Sequence, residues 1–299
     1  MYLGKLPSCF SILIMRVLLG VFLFCALFFF VYCYSASSSG IVLDDQPVTT
    51  ASTAVPKLVW SDEFNTAGLP DMTKWTYDVG DGCDLPCGCG WGNKELEYYT
   101  EKRKENARIS EGYLIIEAHK EAFNNSKYTS ARLVSKGKGD WTYGRIETRA
   151  KLPAGRGVWP AIWMLPTQNK YGGWPKSGEI DIMEHVGYLP DSIYGTVHTD
   201  AYNGMIGTQV GGEIYHPTGE KEFHNYVIEW DSEKINWYID DVKYFTFNNE
   251  HKDYKSWPFD QSFHLILNVA VGGVWGGKFG IDEKVWPQRM EIDYVRVYQ

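Results

Sequence analysis

From residue 112 to its end the chain keeps returning to one local pattern. The segments "GYLIIEAHK", "YGRIETRAKL", "SIYGTVHT", "HNYVIEWD", "KINWYIDDVKYFTF", "SFHLILNVAVGG" and "RMEIDYVRVY" are short, rich in β-branched and aromatic residues, and bounded by Gly, Pro, Asn or Asp. In "INWYID" and "YVRVY" the apolar residues alternate at period two, so a pleated strand sends them to one face. Such strands at roughly ten-residue spacing build a sandwich or a barrel. A propeller or solenoid is excluded, because no fixed-period self-similarity runs through the chain. With 30 Gly, 20 Tyr and 12 Trp among 299 residues, the composition also suits strands joined by tight turns.

The first part of the sequence is of another kind. Residues 12–34 are almost wholly apolar, and "SASSSG" comes directly after them. Read from Met15, residues 1–38 resemble a secretory signal peptide, with Ala36-Ser37-Ser38 as the small residues of a cleavage site. Read from Met1, the apolar run is long enough to remain as an N-terminal signal anchor. Both readings place the rest of the chain outside a membrane. Residues 39–56 are polar and aperiodic, the character of a linker, and residues 57–299 then form one domain, since no linker or charge block divides them. Cys83, Cys87 and Cys89 of "CDLPCGCGWG" fit an exported chain. Three thiols allow at most one bond in this loop, and a structural zinc is disfavoured because no fourth ligand is near in sequence. Asn124 in "NNS" is an acceptor pattern for N-glycosylation. A net charge of −8 argues against nucleic acid and anionic membrane surfaces as partners.

The stretch "SGEIDIMEHVG", residues 177–187, carries three carboxylates in an apolar run. In a regular strand Glu179 and Asp181 share one face with Met183, while Glu184 falls on the face of Ile180 and Ile182. Burying an unpaired Glu there costs several kcal/mol or forces its protonation. A one-residue bulge at or near Met183 removes the conflict and returns Glu184 to the side of the other two. Three close carboxylates repel, so one holds a proton at neutral pH and an acid stands beside a base. Retaining glycosidases need this equipment, with nucleophile and acid about 5 to 5.5 Å apart. A solvated strand face or a calcium site is the alternative reading of the spacing alone.

The neighbouring motifs favour a sugar cleft, where aromatic rings cover apolar sugar faces and amides orient hydroxyls. Trp159 and Trp163 in "GRGVWPAIWMLP" are four apart and so share a strand face. His198 in "GTVHT", and Asn268 and Trp275 in "LNVAVGGVWGG", extend the set.

Taken together, "LVWSDEFN", "CGWGNKELEYYT", "YGRIETRAKLPAGRGVWPAIWMLP", "GEIDIMEHVG", "GTVHT", "LNVAVGGVWGG" and "MEIDYVRVYQ" resemble glycoside hydrolase family 16, in its laminarinase-like endo-β-1,3-glucanase branch. The E-x-D-x-x-E spacing is that of the bulged branch and differs from the even E-x-D-x-E of the lichenase and xyloglucan-active branches. The resemblance implies an all-β jelly roll, a sandwich of two antiparallel curved sheets with a concave substrate groove. It implies Glu179 as nucleophile, Glu184 as general acid/base and Asp181 between them, able to hydrogen-bond the nucleophile. Trp159, Trp163, Asn93, Arg132, His198 and Trp275 match groove positions, and Asn268 joins them. Glu63, Gly112 and Asp293 match a structural calcium site on the convex side; catalysis itself requires no cofactor. Glu97 stands where many relatives have Gln, a departure that bears on one sugar contact. The implied partner is β-1,3-glucan, met by a monomer that is secreted or held by its N-terminal segment. Two alternatives keep the same fold: a transglycosylase using the same residues, and a glucan-recognition protein, which the presence of both glutamates disfavours.

Overall fold

The computed structural model describes residues 56–85 and 88–299. The expected signal or anchor segment and nearly all of the linker lie outside the described residues, as does Cys87. No helix among the described residues is long and apolar enough to cross a membrane. Among these residues eighteen strands run in chain order: β1 (Leu58–Asp62), β2 (Thr76–Asp78), β3 (Glu97–Tyr99), β4 (Ala107–Ser110), β5 (Tyr113–Phe123), β6 (Ser126–Ser130), β7 (Arg132–Val134), β8 (Asp140–Trp141), β9 (Gly144–Lys151), β10 (Val158–Pro166), β11 (Glu179–Glu184), β12 (Ser192–His198), β13 (Val210–Tyr215), β14 (His224–Trp230), β15 (Lys234–Ile239), β16 (Val242–Asn248), β17 (Phe263–Val271) and β18 (Gln288–Tyr298).

They form two sheets, the expected jelly-roll sandwich. One runs β13-β12-β11-β10-β17-β7-β2, with β8 on β17. The other runs β16-β15-β14-β9-β18-β5-β6-β3, with β1 on β18 and β4 on β5. Pairing is antiparallel except at one edge, where β3 lies parallel to β6. The periodicity explains the layering. Ile235, Trp237 and Ile239 of β15 alternate inward, as do Val295 and Val297 of β18, and all are buried. Strand β17 is buried along its whole length, as suits a central strand whose apolar run is broken only by His264 and Asn268. The two inner faces meet in one core that includes Ile146, Ile162, Ile180, Ile228, Leu265 and Ile292. Each fully buried side chain of this size contributes about 1.5–3 kcal/mol.

The thiol loop closes through Cys83 and Cys89, one of the pairings its three cysteines allow. Asn124 and Asn125 form the exposed β5–β6 turn, both with left-handed backbones (φ 43° and 69°) that asparagine tolerates.

Candidate active site

Strand β11 is bulged where its sequence is uneven. Against β12, Asp181 faces Thr196 and Glu184 faces Tyr194, so Ile182 and Met183 together oppose Gly195. Against β10, Met183 pairs with Ile162 and Asp181 with Trp163, which leaves Ile182 as the unpaired residue. The extra residue is thus accommodated at Ile182 and Met183 jointly, and both are buried in the core. Gly195 is required opposite them: a Cβ there would lie 2.4 Å from the Trp237 ring. Trp237, from the other sheet, donates its indole N–H to the backbone oxygen of Asp181 (2.8 Å) and pins the bulge from beneath.

The carboxylates meet different partners. Glu179 accepts the indole N–H of Trp174 (2.7 Å) and lies 3.9 Å from His198 Nε2. Asp181, almost fully buried, has Oδ2 3.3 Å from the same Nε2, an ion-pair contact without the alignment of a hydrogen bond. The resemblance implies an Asp181 able to bond the nucleophile; here its carboxylate is in contact with His198. Glu184 accepts the indole N–H of Trp159 (3.1 Å).

These settings separate the protonation states. Burial pushes the Glu184 carboxyl up to about 7, with the Glu179 charge adding and His198 and Trp159 opposing. Asp181 is pushed well up by burial and by the charges of Glu179 and Glu184. For His198 burial disfavours the cation, but the Asp181 contact and the three carboxylate charges outweigh it and raise the imidazole to about 10. At neutral pH the site therefore contains a cationic His198 beside Glu179 and a carboxyl at Glu184 poised near half protonation.

Aromatic rings line the groove on both sides of this centre. Trp159 meets Trp275 edge-on (5.6 Å), and Trp275 meets Tyr194 (5.0 Å). Trp163, on the same face of β10 as Trp159, donates to Asn268 Oδ1 (2.7 Å). Asn268 in turn donates to Tyr99 Oη (3.0 Å), Tyr99 to Glu95 (3.1 Å), and Asn93 to the other Glu95 oxygen (3.1 Å). Asn268 and Tyr99 are buried, and this relay braces Trp163 and Asn93 from below. Arg132 is also buried, its guanidinium stacked between Trp91 (4.6 Å) and Trp163 (4.7 Å) and its Nε 3.0 Å from Asp78. One depression has Asp78, Lys136, His264 and Trp174, the partner of Glu179, on its walls, and another has Lys94, Leu96 and Gly272. Trp174, Glu95, Tyr99 and Tyr194 escape the sequence reading. Trp174 alone left a local trace, five residues before Glu179 in "GWPKSGE".

Glu97 belongs to the buried layer. Its Oε2 accepts the N–H of Val271 (2.7 Å) while Oε1 has no partner, and burial, then the charge of Glu95, push its carboxyl well up. The residues expected to hold calcium are engaged otherwise. Glu63 accepts two bonds from Arg296 (3.0 and 2.8 Å), and Asp293 pairs with Arg149 (2.6 Å). A calcium ion would have to take these carboxylates from the guanidinium groups that hold them here.

The family model for "Glycosyl hydrolases family 16" matches residues 94–296. A beta-glucanase of Rhodothermus marinus is 57% identical over 250 residues, covering 81% of this chain and 85% of that protein. The X-ray structure of the laminarinase from Rhodothermus marinus superposes with a TM-score of 0.78 at 56% identity, covering 82% of this chain and 99% of that one. The laminarinase of Flavobacterium sp. UMI-01 gives a TM-score of 0.74 at 43% identity, covering 81% of this chain and all of that one (100%).

Proposed function

The chain belongs to glycosyl hydrolases family 16, and we propose that it is a retaining endo-β-1,3-glucanase acting on internal bonds of laminarin-like glucans. The observation that carries this reading is the bulge, which gives β11 two glutamates in unlike settings on the groove side.

Catalysis begins with the glucan lying across Trp159, Trp163 and Trp275. Protonated Glu184 gives its proton to the glycosidic oxygen as the bond to the anomeric carbon breaks. An oxygen of Glu179, held beside His198 and Trp174, bonds to that carbon from the opposite face. Glu184, now a carboxylate, takes a proton from water; the water oxygen bonds to the anomeric carbon and Glu179 leaves. Two inversions retain the configuration.

Asp181 and His198 set the charge around the nucleophile, and Asn93, Arg132 and Asn268 hold the groove in shape. Mixed-linkage β-1,3-1,4-glucan is a second substrate of the same groove. Export with residues 1–38 as signal peptide or anchor belongs to this reading, as does a monomeric state. Calcium at Glu63, Gly112 and Asp293 rests on the resemblance alone.

Incubation with laminarin, with new reducing ends and product sizes followed, tests the proposal. Short oligosaccharides are expected. Products longer than the starting chains would establish a transglycosylase, and binding without products a recognition protein.

A further inference from the structure

Outside the groove, two histidines and an aspartate converge where edges of the two sheets meet. His216 follows β13, on the edge of the groove sheet; His224 opens β14 and Asp240 sits in the β15–β16 turn, both in the other sheet. The geometry points to a binding site here for a divalent transition ion of the zinc class, held by His216 Nε2, His224 Nδ1 and Asp240 Oδ2.

Asp240 is fixed before any ion arrives. Its Oδ1 accepts the N–H of Asn225 (2.9 Å), its own N–H donates to the Asn225 oxygen (2.8 Å), and its backbone is left-handed (φ 51°), as aspartate tolerates. That clasp leaves Oδ2 turned to the imidazoles, 2.9 Å from His224 Nδ1 and 3.9 Å from His216 Nε2. Both separations lie within the about 4.2 Å that two donors on one ion can span with bonds near 2.1 Å. The ring orientations are set by outer partners, as is usual for metal-bound histidines. His224, 5% exposed, has Nε2 3.0 Å from Thr218 Oγ1, and His216 Nδ1 lies 3.4 Å from the same hydroxyl. The imidazole centroids are 4.1 Å apart, and each ring turns one nitrogen toward the same carboxylate oxygen.

The donor set selects the ion. Two nitrogens and one oxygen suit zinc, nickel or copper and not calcium or magnesium, which take oxygen. The side chains of His216 and Asp240 are 26% and 42% exposed, which leaves water access for a fourth position. Binding displaces the proton between His224 and Asp240. It also ties down the 216–224 loop, whose Glu220 bonds His185 (2.9 Å), the neighbour of Glu184.

Titration of the metal-free full chain with zinc sulfate, thiols blocked, tests this by calorimetry and melting. The groove cluster of Glu179, Asp181 and His198 is a competing site, so H198A serves as control. One-to-one binding and a melting temperature that climbs with zinc are expected, retained in H198A. H216A and D240N should each weaken binding by about 100-fold or more and remove the thermal shift, with zinc-free laminarin hydrolysis unchanged. Heat no greater than that of zinc into buffer, binding unchanged in both variants, or binding lost in H198A would overturn the site.

Discussion

At the scale of single residues the site works by giving like groups unlike surroundings. Glu179→Ser removes the attacking oxygen while leaving the Trp lining in place, so laminarin turnover should fall by at least about a thousandfold with binding retained. Turnover near wild type would remove Glu179 from its role. The acid must be protonated, and burial holds Glu184 at about 7, so kcat/KM should fall as the pH rises through that value. Trp159→Phe deletes a hydrogen bond to the carboxylate form. Its loss raises the Glu184 value, and the alkaline limb of the rate profile should move up by roughly half a unit to one unit, the worth of one such bond. Glu97 makes a stability prediction with a defined sign. Its folded carboxyl stays neutral well above the about 4.3 at which an unfolded Glu ionises. The folded state therefore loses stability as the pH climbs from the unfolded value through the folded one. Glu97→Gln should melt higher than wild type at about pH 9, with no gain at about pH 4; an equal gain at both would contradict the assignment. The motif residues Glu179, Asp181 and Glu184 were legible because their spacing conflicts with a plain strand. The burial of Asn268 and Arg132 was not: a buried side chain and an exposed one of the same type read alike in sequence.

At the scale of elements, β11 shows how one extra residue decides chemistry. The period-two conflict at Glu184 predicts a bulge, and the register shifts against both β10 and β12 place it at Ile182 and Met183. Sequence spacing could not divide the bulge between these residues, since both are apolar and both end in the core. Deletion of Met183 would leave the even E-x-D-x-E spacing, a regular strand that keeps Glu184 opposite Ala161 and Tyr194 on the groove side without the bulge. Activity well above that of Glu179→Ser is expected, with a far-ultraviolet spectrum that stays that of a β protein; a drop to the level of Glu179→Ser would show that the bulge itself is needed to aim Glu184. The short edge pairings were harder to read. Strand β3 is three residues long and joins β6 in parallel, a non-local pairing that leaves no periodic signal. Trp237 and Gly195 were likewise hidden, because their partnership crosses from one sheet to the other.

At the scale of the molecule the two sheets divide the work. One supplies a groove of tryptophans and carboxylates, and the other a backing that reaches up through Trp237 to hold the bulge. Fold class was legible because period-two patterning recurs through most of the domain. The strand order was not, since it is set by long-range pairings such as β1 with β18. The cation expected from the resemblance is tested on the whole protein: a calcium ion that displaces Arg149 from Asp293 should raise the melting temperature, and a temperature indifferent to calcium and chelator would set it aside. The central claim, that Glu179 and Glu184 act in sequence on one glycosidic bond, is tested most directly by following the anomeric protons of the first products from laminarin by NMR. The β-anomer should appear first and then mutarotate, with no signal from Glu179→Ser; an α-anomer formed first would contradict double displacement.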